Sequence, residues 1–243
     1  MNTATPNPYL GVGLYSVPEA AHILRVRSVN LRRWASGYTW NHQGEPRTSN
    51  ALFARDEPEL AAKGILTFAD LVELKLIAKF RSVGFSLQVI RNLAEHTARR
   101  FEVSHPFATC RFHTDGYRIF GEWATAAKIS PSVARFLEEM PSGQGVFDDI
   151  ASQFYRSLDY EGDLSVHYWP LGKQREVVLD PRRSFGQPIL AESGVPTWTL
   201  YEIVRRGTST VEEVALRYEI DARAVCAAVE YESSLRLPAT PPA

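Results

Sequence analysis

Six arginines stand between residues 25 and 55: Arg25, Arg27, Arg32, Arg33, Arg47 and Arg55. Glu45 is the only acid in that window. Guanidinium groups at this density suit phosphate contact, because each is permanently charged and can fork two N–H groups onto an oxyanion. Ser28, Asn30 and His42 fall in the same stretch and add groups that hydrogen-bond to bases or backbone. A solvated basic face has the same composition, so charge alone leaves both readings open. The chain of 243 residues has a formal net charge of −1, but the sign is divided. Residues 1–103 hold 13 Lys and Arg against 9 Asp and Glu, and residues 104–243 hold 14 against 19. Near-neutrality therefore does not argue against a polyanionic partner.

Other chemistry is weakly signalled. His105, Cys110 and His113 could ligate a metal, but their spacing is no standard zinc pattern and no fourth ligand stands nearby. Polar hairpin residues are the plainer reading, and neither a metal nor a cofactor is expected. Glu138-Glu139 and Asp148-Asp149 are paired carboxylates without a neighbouring nucleophile or glycine-rich loop. They read as solvated helix faces, and no Walker or dinucleotide motif occurs. An enzyme is not expected. Cys110 and Cys226 are the only two cysteines, which is no disulfide framework and suits a reducing cytoplasm. Met1 to Pro8 has no signal-peptide pattern, and no apolar run approaches a membrane span.

The elements that must position the arginines are legible from their caps. Ser16-Val17-Pro18-Glu19 is a capping box, and the helix it opens carries Ala20, Ala21, Ile23 and Leu24. After Arg25-Val26-Arg27, Ser28 is expected to cap a second helix with Leu31, Trp34 and Ala35 as its buried stripe. Asn30 and Arg33 then project from the opposite side, with Arg32 at the flank. Gly37 ends that helix. Two short helices, a tight turn and a basic free face describe a helix-turn-helix, although an αα-hairpin without a DNA role shares the pattern. Residues 38–66 read as a loop or β-wing carrying His42, Arg47 and Arg55. Thr67, with Asp70 three residues on, opens a third helix bearing Leu71, Leu74 and Ile77, with Glu73, Lys75, Lys79 and Arg81 on its polar side. Ser86 opens a fourth with Leu87, Val89, Ile90 and Leu93.

The middle segment is expected to hold a β-hairpin around Asp115-Gly116 and a helix from Phe147 to Leu158. Val166 to Pro170 and Glu176 to Leu179 read as strands separated by a turn at Gly172. Ser184 to Thr197 should complete a short paired β-unit. Three helices follow: about Thr199 to Arg206, one capped by Thr210 (or Ser209) with Glu212-Glu213 in its first turn, and one capped by Asp221. The fold class is therefore α+β, mostly α. The expected division is a flexible N-terminus 1–13, a winged helix-turn-helix 14–103, a middle connecting segment 104–174, a trihelical unit 175–236 and a tail 237–243.

Tyr15 to Ala21 and Ser28 to Trp34, then Leu66 to Leu71 and Gly84 to Ile90, resemble in order and spacing the MerR-type winged helix-turn-helix. The resemblance implies that Ser28 to Arg33 enters the major groove and that the wing touches phosphates. The implied DNA-binding set is Arg25, Arg27, Ser28, Asn30, Arg32, Arg33, His42, Arg47 and Arg55. The wing is longer than is usual in that family. No cysteine cluster or long C-terminal coiled coil follows, which departs from metal-sensing members. Leu179 to Pro181, Gly186 to Ile189, Gly194 to Thr197, Val211 to Ala215 and Ala227 to Tyr231 resemble a small bacterial domain that often accompanies PIN-domain ribonuclease toxins. The whole arrangement is similar to a VapB-type antitoxin subgroup of actinobacteria. That likeness implies a cytoplasmic homodimer that represses its own operon at a double-stranded operator and neutralises a PIN-domain toxin. Arg182, Arg183, Arg205 and Arg206 are candidate toxin contacts on that basis. A MerR-like regulator sensing a small ligand is the alternative, with Tyr117, Phe120, Trp123, Phe154, Tyr155, Tyr168 and Trp169 as pocket candidates.

Overall fold

Three capping boxes set where helices begin. Ser16 Oγ accepts from the Glu19 amide at 3.3 Å while Glu19 accepts from the Ser16 amide at 2.8 Å. Thr67 and Asp70 repeat the exchange at 3.1 and 2.9 Å, and Thr210 and Glu213 at 3.2 and 2.9 Å. Each box satisfies two amides that a helix start would leave open. The computed structural model describes residues 11–109, 112 and 153–236. The expected hairpin around Asp115-Gly116, Cys110, His113 and both carboxylate pairs lie outside those residues.

The fold is α+β and mostly α. Strand β1 (Leu14–Ser16) leads into α1 (Val17–Leu24), then α2 (Ser28–Ser36). Strands β2 (Tyr38–His42) and β3 (Glu45–Ser49) follow, then α3 (Pro58–Ala62) and β4 (Ile65–Thr67), which pairs antiparallel with β1. The long helices α4 (Phe68–Ser82) and α5 (Leu87–Phe101) complete the N-terminal unit. Ser86 caps α5 through the Val89 amide at 3.2 Å.

Helix α4 is the hub. Leu71, Val72, Leu74, Leu76, Ile77 and Phe80 are all buried, so the helix is covered on more than one side. Glu73, expected on a polar face, is also fully buried. The reason lies beyond α5: Phe107 and Ala108 pack onto α4, and both amides donate to Glu73 Oε2 at 2.9 Å.

Beyond the N-terminal unit, β5 (Leu158–Glu161), β6 (Leu164–Tyr168), β7 (Val177–Leu179) and β8 (Pro188–Leu190) form one antiparallel sheet in sequence order. Leu158 was expected on a helical stripe, but it pairs with Tyr168 and opens β5 instead. The sheet joins two cores. Phe107, Phe112, Phe154, Tyr155, Leu158, Tyr168 and Leu179 belong to the core of the N-terminal unit, so that core does not break at residue 104. Val177 and Leu190 belong to the second core, with helices α6 (Thr197–Arg205), α7 (Val211–Tyr218) and α8 (Ala222–Arg236). Asp221 opens α8 by accepting from the Arg223 amide at 2.7 Å. Helix α6 begins two residues before the expected Thr199.

Candidate nucleic-acid interface

Leu31, Trp34 and Ala35 are buried, which turns the positions between them outward. Val29, Arg32, Arg33 and Ser36, spaced i, i+3, i+4 and i+7, are all exposed and form one free face of α2. Asn30, expected to project freely, is half-buried at the flank. Ser28 was expected as the N-cap, but Arg27 takes that place because its carbonyl accepts the Leu31 amide at 3.1 Å. Ser28 is the first helical residue, and no side-chain cap bond is made at this end. Arg25 and Arg27 are exposed in the turn between α1 and α2.

The wing is more regular than its composition suggests. Gln43 and Gly44 both have positive φ, at 53° and 88°, the combination that a two-residue type I′ turn needs. Trp40 pairs with Arg47 and His42 with Glu45, which puts Tyr38, Trp40, His42 and Arg47 on one side of the hairpin. Arg33 lies over the Tyr38 ring at 4.8 Å, and the Tyr38 and Trp40 rings are 5.2 Å apart. Trp40 is 42% exposed. Arg47 is 3.6 Å from Glu45, and both are well exposed, so solvent screens that pair. Arg33, Tyr38, Trp40 and Arg47 thus continue the free face of α2 along the wing.

This surface is held rigidly from behind. Gly37 joins α2 to β2 at φ 72°, and a Cβ there would lie 2.4 Å from the Ser49 carbonyl oxygen. The Leu52 amide donates to the Trp34 carbonyl at 2.9 Å. Arg91 of α5 reaches back to donate to Ser49 Oγ at 2.8 Å and the Asn50 carbonyl at 3.0 Å. Chemically, the surface offers forked donors for phosphates or guanine edges. It also offers an apolar tip, Val29 at 50% exposure, of the kind that meets a thymine methyl.

Residues 13–93 match the family described as "Putative DNA-binding HTH domain", and residues 177–231 match "Protein of unknown function (DUF433)". The chain is 30% identical to "Putative antitoxin VapB45" of Mycobacterium tuberculosis over 86% of its own length and 89% of that protein. The chain belongs to the VapB45 family. A second M. tuberculosis relative, "Uncharacterized protein Rv2308", is 23% identical across 92% of each chain. The crystal structure of Rv2018 from the same organism shares the fold, with a TM-score of 0.62 and 22% identity over 91% of this chain and 99% of that one.

In this member of the VapB45 family, Arg55 leaves the candidate set. Its side chain is only 6% exposed and donates to Asp70 Oδ2 through Nε at 3.1 Å and Nη2 at 2.8 Å, and to the Ile65 carbonyl. Asp70 also accepts from the Thr67 amide and lies 2.9 Å from His105 Nε2. His105 Nδ1 lies 3.2 Å from Asp56 and 2.9 Å from Ser104 Oγ. Both ring nitrogens of His105 are thereby engaged with side chains of this cluster. Burial works against a charged His105, but the bonds to Asp56 and Asp70 outweigh it and lift the imidazole to about 9. The His105 bond in turn holds Asp56 down at about 2. Burial also opposes charge on Asp70, yet His105, Thr67 and Arg55 keep it below the usual carboxylate range. Glu73 goes the other way: burial pushes it up to about 8. The cluster is near charge balance with Glu73 neutral, and through Arg55 and Asp56 it fixes the chain between β3 and α4.

The remaining candidates fall in several settings. Arg182 forks onto Glu161 in an exposed pair, and Arg183 donates to the Ala191 carbonyl. Arg205 and Arg206 both reach Glu202. Phe154, Tyr155 and Tyr168, candidates for a ligand pocket, are instead core residues, with Phe154 against Tyr155 at 5.1 Å. Tyr117, Phe120 and Trp123 lie outside the described residues. Val29, Tyr38 and Trp40 were not singled out from sequence. The signal was there: Val29 falls off the apolar stripe of its helix, and Tyr38 and Trp40 alternate ahead of a Gln-Gly turn.

Proposed function

We propose that this protein is a DNA-binding antitoxin that represses its own operon as a homodimer and neutralises a PIN-domain ribonuclease. The observation that carries the DNA half is the continuous exposed face of Val29, Arg32, Arg33, Trp40 and Arg47, stiffened by Gly37 and Arg91. A MerR-like docking puts α2 in the major groove and the wing on the flanking backbone. Arg25, Arg27, Ser28, Asn30 and His42 complete that surface. Membership of the VapB45 family supports the antitoxin half. The acidic balance of residues 104–243 suits a partner that handles RNA and presents positive surface. Arg182 and Arg183, beside β7, are the proposed toxin contacts.

The test has two arms. Fluorescence anisotropy of the full chain on a duplex carrying its own upstream region should show binding that falls steeply with salt. Arg33→Ala should weaken it, since it removes a guanidinium and bares Tyr38. Unchanged affinity together with a flat salt response would remove α2 as the reading helix. Co-expression with the product of the adjoining gene should yield a complex and relieve its ribonuclease toxicity; failure of both would overturn the antitoxin half.

A further inference from the structure

Glu202 of α6 is shared by three arginines. Arg205 Nε lies 3.0 Å and Arg236 Nη2 3.8 Å from its Oε1, and Arg206 Nε lies 3.4 Å from its Oε2. Three guanidiniums share that carboxylate, and Glu232, buried and accepting from Thr197 Oγ1, is a second acid that Arg236 feels, so the arginines still outnumber the acids. Arg236 also lies over the rings of Trp198 at 5.4 Å and Tyr201 at 4.8 Å, and Trp198 is 51% exposed. Guanidinium groups already oriented by a carboxylate and by ring faces lose little freedom on meeting an oxyanion.

The place of this patch is what gives it a partner. Leu235, one residue before Arg236, lines a hollow of about 320 Å³ with Ala21, His22, Arg25, Arg27 and Ser28. The end of α8 therefore abuts the turn between α1 and α2. No carboxylate lines the hollow among the described residues. Arg25 and Arg27 thus stand on a hollow whose other wall is Leu235, the residue before Arg236.

We infer that the Trp198–Arg236 surface is a second contact for the phosphate backbone of the duplex that α2 reads. The inference rests on the DNA-binding reading and extends its footprint to the C-terminal unit. Arg205, Arg206 and Arg236 bind phosphates flanking the α2 site, and Trp198 covers the adjoining sugar. An acidic protein segment would also meet the charge, but the hollow that Leu235 shares with Arg25 and Arg27 brings the patch to the end of the α2 surface and favours the duplex.

The experiment measures the affinity of the full chain as a function of salt, on the upstream duplex and on one trimmed to the segment that α2 and the wing protect. Each lost phosphate contact lowers the slope of log K against log salt by about 0.9. The double variant Arg205→Ala/Arg206→Ala should lower the slope by one to two such steps on the long duplex, without changing sequence preference. Arg205→Lys/Arg206→Lys should restore the slope, which a purely structural role would not do. On the trimmed duplex, wild type and double variant should bind alike. Arg223→Ala, on the opposite end of α8, should change nothing. An unchanged slope in the double variant, while Arg33→Ala still weakens binding, overturns this inference and leaves the α2 reading standing. Loss of partner-protein capture without any change in DNA affinity also overturns it and assigns the patch to a protein. No binding of any duplex by wild type overturns both.

Discussion

The Tyr15 hydroxyl donates a 2.6 Å hydrogen bond to the carbonyl of Gly186, 171 residues away in sequence. Tyr15 is 2% exposed, so the bond crosses a dry junction between β1 and the loop before β8. It ties the strand that leads into the reading head to the C-terminal unit. Tyr15→Phe leaves the Gly186 carbonyl without that donor and should cost about 1–3 kcal/mol. Gly186→Ala should cost more. Gly186 has φ 84°, and a Cβ there would sit 2.3 Å from the Tyr15 hydroxyl. Urea unfolding of the two variants checks both; a Tyr15→Phe protein as stable as wild type would show the bond to be replaceable by water.

Val29 should set a preference for thymine. It is the apolar member of an otherwise polar free face on α2, and a valine methyl meets a thymine 5-methyl through dispersion and dehydration alone. Replacing one thymine by uracil in the bound duplex should weaken wild type about fourfold, the worth of one buried methyl. Val29→Ala should be weaker on the thymine duplex and indifferent to the replacement. Equal losses for both proteins at every thymine would show that Val29 touches no methyl.

Gly37→Ala should separate wing from helix. The new Cβ meets backbone, the Ser49 carbonyl and the Ala51 amide at 2.4 and 3.0 Å, so β3 must shift rather than a side chain. None of the atoms nearest that Cβ belongs to α4 or α5. The expected outcome is a folded protein with weakened DNA binding and faster amide exchange in Tyr38 to Ser49. A variant that binds as wild type does would show the wing's anchoring to be dispensable.

How much of this was legible beforehand depends on the range of the interactions. Ser16, Thr67, Ser86 and Thr210 announce their helices because a cap is a contact over three residues. Leu31, Trp34 and Ala35 give their stripe because periodicity is local too. Arg55 could not be read as buried, because its partner Asp70 doubles as a helix cap, and sequence does not show that Ile65 and Asp70 converge on one guanidinium. Glu73 looked like surface for the same reason: its ligands, the Phe107 and Ala108 amides, lie 34 and 35 residues away. Leu158 followed a helical period, but strand pairing with Tyr168 overrode it.

The cluster of Asp56, Asp70, Glu73 and His105 should make stability fall as pH rises. His105 moves from an ordinary 6.5 to about 9 on folding, so its contribution is complete below about pH 6.5 and is lost as pH passes through about 9. Glu73 moves from 4.5 to about 8, so the folded protein holds a proton that the unfolded chain releases above about 4.5. That group too withdraws stability with rising pH, between about 4.5 and 8. Asp56, held at about 2, contributes its stability above the ordinary 3.8 and loses it only in acid. The slope of unfolding free energy near pH 7 should therefore be negative, with each extra bound proton worth about 1.4 kcal/mol per pH unit. Glu73→Gln removes one such proton while leaving an oxygen for the Phe107 and Ala108 amides. It should flatten the profile between about pH 4.5 and 6.5, make it less steep between about 6.5 and 8, and leave the fall from about 6.5 to 9 that His105 imposes. Urea unfolding across that range decides it: a wild-type profile that stays flat or rises from pH 6 to 9 would mean that the cluster is solvated in the folded protein and does not hold its charges as the bonds among Arg55, Asp70 and His105 require.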